Sequence, residues 1–249
     1  MIKQVTKSER MLDFLRQNLY VNLSILHFIE NHGDAKILAY GGDVKNGIIA
    51  FEDDGWCLIA TENREFLKAF LESSQYTGNK LFSSVPRNSA EIIFSLNEPL
   101  WKNPCKVYVF EGDFTPMKSE KHPVKQLLPS DVIEVNEYYT YSGEWSLEEL
   151  RKCIEEHDSS CIRIDGELAA WCLIHDTDGS LGPLYTKEKF RRMGLAELVT
   201  YDLMEKMTAK GKIPSAQIVE NNTKSLNLVA KIKGMTYSHD CVWFGFTEQ

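Results

Sequence analysis

The sequence predicts an α/β (α+β) protein built as two similar units in tandem, each a mixed, mostly antiparallel sheet flanked by helices. Three observations carry this expectation. A pattern of amphipathic helix, short apolar strands, helix, strand, helix and strand runs from Ser8 to Phe110 and recurs from Ser130 to Phe246. Between the two patterns, Thr115-Pro116, His122-Pro123 and Leu128-Pro129 interrupt regular structure, while Lys118, Lys121 and Lys125 keep the stretch solvated. A chain of 249 residues, 43% hydrophobic and 26% charged, has enough apolar surface for two modest cores. The expected division is a first domain over residues 1–117, a linker over 118–126 and a second domain over 127–249.

In the first unit, Met11, Leu12, Leu15, Leu19, Leu23, Leu26 and Ile29 recur at three- and four-residue spacing, which gives one or two amphipathic helices over 8–32. Strands over 35–40 and 47–51 bracket a glycine-rich turn, and a strand over 56–60 follows Asp53-Asp54-Gly55. A helix over 63–73, a strand over 81–85, a short helix around 89–94 and a closing strand over 106–110 complete it. In the second unit, a single helix is expected over 130–139, with Ser130 and Asp131 as capping residues. Ser146-Leu147-Glu148-Glu149 has the form of a capping box opening a helix over 146–157. Strands over 161–165 and 168–175 meet at an Asp165-Gly166 hairpin turn. A strand over 180–186, a basic turn, a helix to residue 209, a strand over 215–220, a helix over 223–233 and a strand over 237–246 follow.

Composition excludes several classes. A net charge of −8 argues against a general binder of nucleic acid or of acidic membranes. The first ten residues are polar and charged, and no run approaches the ~18 apolar residues of a membrane span, so a soluble cytoplasmic protein is expected, a monomer or homodimer. Six cysteines without a C-x-x-C pair point to buried reduced thiols rather than a disulfide framework. No metal is expected. Cys172 and His175 of an imaginable zinc set with His239 and Cys241 fall on opposite faces of one strand. Asp176, Asp178 and Gly179 lack the remaining ligands of a calcium loop.

The informative segment is Arg191-Arg192-Met193-Gly194-Leu195-Ala196, a basic, glycine-containing turn that runs straight into a helix. The first amides of a helix have no intrahelical partner and carry partial positive charge, so an anion is held there by backbone as well as by side chains. Gly194 permits close approach, and each arginine adds a charge-assisted bond worth roughly 1.5–3 kcal/mol where solvent is excluded. Such a turn is a pyrophosphate cradle.

Arg191, Gly194 and Ala196 resemble the R-x-x-G-x-G/A signature of the GNAT N-acetyltransferase superfamily. The flanks extend the resemblance. Residues 180–186 and the approach Lys187-Glu188-Lys189-Phe190 resemble the family's fourth strand and the segment after it, and residues 213–220 its fifth strand. Asn222-Thr223-Lys224-Ser225 with Leu228, Lys231 and Gly234-Met235 resembles its N-x-x-A/S-x-x-L-Y-x-K-x-G-F helix. The resemblance implies two GNAT-like units, the first degenerate because it lacks the cradle sequence. It further implies an acyl-CoA, acetyl-CoA in the first instance, as co-substrate. Arg191, Arg192, Met193, Gly194, Leu195 and Ala196 would hold its pyrophosphate, and Leu184, Tyr185, Thr186, Asn222 and Ser225 its pantetheine arm.

The implied chemistry is direct transfer of the acyl group to an amine in a ternary complex, with a base for the amine proton and an acid for the departing thiolate. Here the sequence departs from the family. The tyrosine expected four residues before Gly234 is replaced by Leu228, Val229 or Ala230, and residues 180–185 contain no acid. Tyr237 is the substitute acid, and Asp178 and Glu220, with His175, are the neighbouring titratable groups, a water relay being the alternative. Trp171-Cys172-Leu173 before Asp176 is similar to the glycine N-acyltransferase branch, whose members conjugate acyl groups to amino acids. The expected function is therefore an N-acyltransferase acting on a small-molecule amine such as an amino acid. The alternatives are a CoA-binding module without turnover and a protein lysine or N-terminal acetyltransferase.

Overall fold

Ser8 has an extended backbone and accepts a hydrogen bond from the Met11 amide, so it caps the first helix and fixes where the chain turns. In the computed structural model, which describes residues 1–53, 55–73, 81–143 and 145–247, that helix follows a short strand. The first half runs β1 (Ile2–Val5), α1 (Glu9–Arg16), α2 (Leu23–Asn31), β2 (Lys36–Tyr40), β3 (Ile48–Phe51), β4 (Trp56–Ala60), α3 (Arg64–Leu71), β5 (Leu81–Pro86), α4 (Arg87–Leu96) and β6 (Trp101–Phe110). The second repeats that order: β7 (Val124–Lys125), α5 (Val132–Glu137), α6 (Ser146–Glu156), β8 (Ser160–Ile164), β9 (Glu167–Ile174), β10 (Leu181–Thr186), α7 (Leu195–Ala209), β11 (Ser215–Val219), α8 (Thr223–Val229) and β12 (Met235–Gly245). Asp54 of the expected turn, and Glu248 and Gln249 at the end of the second unit, lie outside the described residues.

The pairing of these strands differs from two self-contained units. An eight-stranded sheet has the order β1-β2-β3-β4-β5-β12-β6-β11, and a four-stranded sheet the order β10-β9-β8-β7. The last strand of each half has changed places. β12 lies against β5, with Cys241 opposite Pro86 and Phe244 opposite Phe82, while β6 lies against β11, with Val109 opposite Ser215. β6 and β12 also pair with each other from Trp101↔Gly245 to Phe110↔Met235. A boundary drawn through residues 118–126 therefore separates each half from a strand that completes its sheet. The end of that stretch is itself β7, where Val124 and Lys125 pair with Ile162 and Cys161, because the chain after Pro123 is extended along the free edge of β8.

Core composition follows the exchange. Phe244 from the C-terminal strand stacks on Phe82 at 4.6 Å between ring centroids, inside a cluster with Phe51, Phe66 and Phe70 beneath α3 and α4. The opposite face packs Met11, Leu15, Phe28 and Ile48 under α1 and α2. In the second half, Trp171, Leu150 and Cys153 form the core under α5 and α6, and Leu198, Val199 and Leu203 of α7 pack on Ile162 and Ala170.

Several local expectations are corrected. β1 escapes sequence reading because only its ends turn inward and it sits at a sheet edge. The helix expected over 130–139 is a 3-10 turn over Pro129–Asp131 followed by the shorter α5. Ser146 does not cap α6; its hydroxyl is buried, accepts from the Gly143 amide and donates to Asn136 Oδ1 at 2.6 Å, tying α5 to α6. α8 stops at Val229, and the next residues tighten into i→i+3 bonds such as Ile232 N to Val229 O.

The halves also meet at a polar joint. Asp176, just after β9, accepts from His157 Nε2 at 2.8 Å and Lys152 Nζ at 2.7 Å, while its backbone carbonyl accepts from His27 Nε2 of the first half at 2.9 Å. Burial works against ionisation of Asp176, but the bonds from His157 and Lys152 outweigh it and hold the carboxyl well below its ordinary range. Burial likewise lowers His27 to about 4, against the attraction of Asp178, so its ring is neutral at pH 7.

Candidate functional site

β10 and β11 belong to different sheets and do not pair, so the backbone between them is open. The register of β10 on β9 shifts between Leu181 and Leu184, which turns Gly182 and Pro183 out of the ladder at the mouth of this opening. Gly182 is required there: its φ is +152°, and a Cβ would lie 2.7 Å from the Nε2 of His175. The opening is a cavity of about 430 Å³, walled by Leu184 and Tyr185 of β10, Gln217 and Ile218 of β11, Asn222, Ser225 and Leu228 around α8, and the Tyr138–Tyr141 loop after α5. Asn222 has a second task as the cap of α8, accepting from the Ser225 amide at 3.1 Å.

The cradle turn lies beside this cavity in sequence and on the surface in space. Gly194, at φ +77°, is the residue before α7 and offers no side-chain cap to the helix amides. Arg192 is also left-handed, at φ +65°, so two of the turn's residues have the positive φ found in anion-binding nests. Nothing lies within 4 Å of a Cβ built on Gly194, so the turn is open to an approaching group. Leu195 is buried and anchors the turn from below. Arg191 is braced: its guanidinium donates to the Thr186 carbonyl at 3.3 Å, pairs with Glu188 at 2.8 Å and lies over the Tyr185 ring. Arg192 and Met193 are exposed. Thr186 does not face the cavity, and its hydroxyl is buried without a hydrogen-bond partner among the described residues.

The three residues proposed for acid and base chemistry are not brought to the cavity. Tyr237 is 52% exposed and donates to Asp240 Oδ1 at 3.1 Å on the outer surface of β12, because the bulge between Tyr237 and His239 sets its side of the strand. Asp178 is buried behind β11, where its carboxylate accepts from Gln217 Nε2 at 2.7 Å, Ser84 Oγ at 3.1 Å and the Ser180 amide at 2.8 Å. Those bonds make it a brace between the halves. Glu220, past the end of β11, is exposed and paired with Arg87 of the first half. His175 does line the cavity, directly against the Gly182 bulge. The sequence reading missed the Tyr138-Tyr139-Thr140-Tyr141 loop; a run of three tyrosines between two short helices was the available signal. Cys172 also reaches the cavity, but burial pushes its thiol up to about 12, so it is not a nucleophile. Among the described residues, no three His, Cys, Asp or Glu side chains are grouped to hold a metal ion, and no helix is long and apolar enough to cross a membrane.

Comparison with known proteins agrees with this fold. Residues 161–244 match the family model described as FR47-like protein. A Drosophila protein of known structure superposes with a TM-score of 0.79 at 19% identity, covering 99% of this chain and 98% of its own. A GNAT-family acetyltransferase from Colwellia psychrerythraea gives 0.56 at 15% identity, over 99% and 100% of the two chains. A tandem GNAT protein from the clavulanic acid biosynthesis pathway gives 0.59 at 9% identity, over 100% and 99%. No curated protein matches the sequence. The fold is thus two GNAT-like units in tandem, and the glycine N-acyltransferase branch is not among these likenesses.

Proposed function

We propose that the chain is an acyl-CoA-dependent N-acyltransferase that moves an acetyl group from acetyl-CoA to the amine of a small molecule. The observation that carries this reading is the unpaired opening between β10 and β11 beside the uncapped amides of α7. A thioester arm can lie along β10 while its pyrophosphate rests on the turn from Arg191 to Ala196. Leu184, Tyr185, Asn222 and Ser225, which line the cavity, would hold the arm. The amine nitrogen attacks the thioester carbonyl; the C–N bond forms, the C–S bond breaks, and its electron pair leaves on sulfur. One proton must leave nitrogen and one must reach the thiolate. His175 replaces Asp178, Glu220 and Tyr237 as the candidate proton acceptor, because its imidazole lines the cavity. Water supplies the thiolate proton in this scheme.

The experiment is acetyl-CoA calorimetry followed by free-thiol release over a panel of amines. His175→Gln should bind acetyl-CoA like the parent and lose about 10²–10⁴-fold in kcat. Acetyl-CoA binding with no thiol release on any amine would favour a CoA-binding module instead. Release on peptides alone would favour a protein acetyltransferase.

A further inference from the structure

Against the cleft, with His175 in the wall of both, lies a smaller chamber of about 100 Å³. The two spaces share Tyr139, Tyr141, His175, Gln217 and Val219, so they adjoin along that wall. The chamber is made by both halves: Trp56 of β4 and Cys105 of β6 come from the first, and Trp145 and Trp243 from the second. Trp243 is on the exchanged strand β12. Its ring meets Trp56 edge-on at 4.9 Å, and its Nε1 donates to Gln217 Oε1 at 2.6 Å, which fixes the wall.

The chemistry of this wall is one-sided. Among its described residues there is no Asp, Glu, Lys or Arg, and the same holds for the larger cleft. The Gln217 amide is already spent: Nε2 donates to Asp178, Ser84 and Ser24, and Oε1 accepts from Trp243 and Cys241. A carboxylate entering here would lose its water and meet no Lys or Arg, so its desolvation would go uncompensated. Aromatic faces instead favour an apolar body, and they tolerate an ammonium group before it gives up its proton.

Resting on the acyl-transfer reading above, we propose that this chamber is the acceptor subsite, and that the acceptor is a primary amine on one ring or a branched alkyl chain, without a carboxylate. The size bounds the group: the chamber is smaller than the ~150 Å³ cavity that holds benzene, so it admits no more than one ring or a short branched chain, whose nitrogen would then point past His175 toward the cleft. The first half then has a function without a cofactor site of its own. It supplies part of the acceptor wall.

The test uses the full chain and matched pairs that differ by the carboxylate: 2-phenylethylamine against phenylalanine, and 3-methylbutylamine against leucine. Acetyl-CoA binding is measured first by calorimetry. Amine binding to the acetyl-CoA-loaded protein is then followed by tryptophan fluorescence, and turnover by thiol release. Each carboxylate-free member should exceed its partner at least ~100-fold in kcat/KM. Trp56→Ala should raise the amine KM about 10-fold with the acetyl-CoA affinity unchanged, and Trp56→Phe should restore most of it. Amino acids equal to or better than the amines would overturn the assignment while leaving acyl transfer intact. So would acetyl-CoA binding with no amine bound. Failure of acetyl-CoA itself to bind would remove the reading beneath, and the inference with it.

Discussion

The two halves carry the same elements in the same order, yet one is closed and the other open at the corresponding place. In the first, β4 and β5 pair in parallel at Trp56↔Leu81 and Cys57↔Phe82, and Phe66, Phe70, Phe82 and Phe244 pack behind them. Only Thr61, Glu62 and Asn63 separate β4 from α3, and the Asn63 side chain accepts from the Phe66 amide at 3.1 Å. In the second, β10 and β11 stay unpaired, residues 187–194 form a longer turn, and Gly194 leaves the amides of α7 uncapped. A side-chain cap and a bound phosphate compete for the same donors. The difference teaches that the frame itself is neutral toward function; a longer left-handed turn and a withheld strand pairing create the candidate site.

The largest effect should come from the strand that joins the halves. Phe244→Ala removes a fully buried ring from the first half's core and should cost about 3–5 kcal/mol, read by urea denaturation. Protection from hydrogen exchange should weaken in β5 as much as in β12. A fragment of residues 1–117, deprived of β12, should fail to fold; cooperative unfolding of that fragment would show that the exchange is dispensable.

Acid should loosen the joint next. The folded-state pKa of His27, about 4, lies below its ordinary 6.5, so the unfolded chain binds the extra proton first. Its neutral form therefore contributes stability that is complete above pH 6.5 and declines by up to about 3 kcal/mol as the pH falls through 4. Denaturation midpoints between pH 7 and 4 should show this slope, and His27→Asn should flatten it. Asp176, with its lowered pKa, adds a further loss only below the ordinary carboxylate range.

At the open turn, Gly194→Glu puts a carboxylate and a strained left-handed side chain where the pyrophosphate would rest. Acetyl-CoA affinity should fall ~100-fold while the protein stays folded. The matched change in the closed half, Asn63→Ala, should cost about 1 kcal/mol of stability and leave that affinity alone. Unchanged binding in folded Gly194→Glu would sink the cradle assignment. The smallest effect should be that of Tyr237→Phe, which removes one exposed hydrogen bond to Asp240 and should leave kcat unaltered.

What the sequence determined by itself was local. The periodicity of Met11 to Ile29, the Asp165-Gly166 hairpin and the Arg191–Ala196 turn depend on near neighbours, and near neighbours dictate them wherever the chain goes. The short strands β1 and β7 were not legible, since two to four residues of mixed polarity carry no period. The tertiary structure alone decided which last strand completes which sheet. β6 and β12 both offer an alternating apolar face to an antiparallel neighbour, and no local signal distinguishes a strand's own half from the other. That choice also decided the site: it brought Trp243 against Trp56 and turned Tyr237 outward. Asp178 and Glu220 became braces between the halves, and His175 was left facing the cleft. Side chains distant in sequence meet only through long-range pairing, so their roles could be read only after the strands were in place.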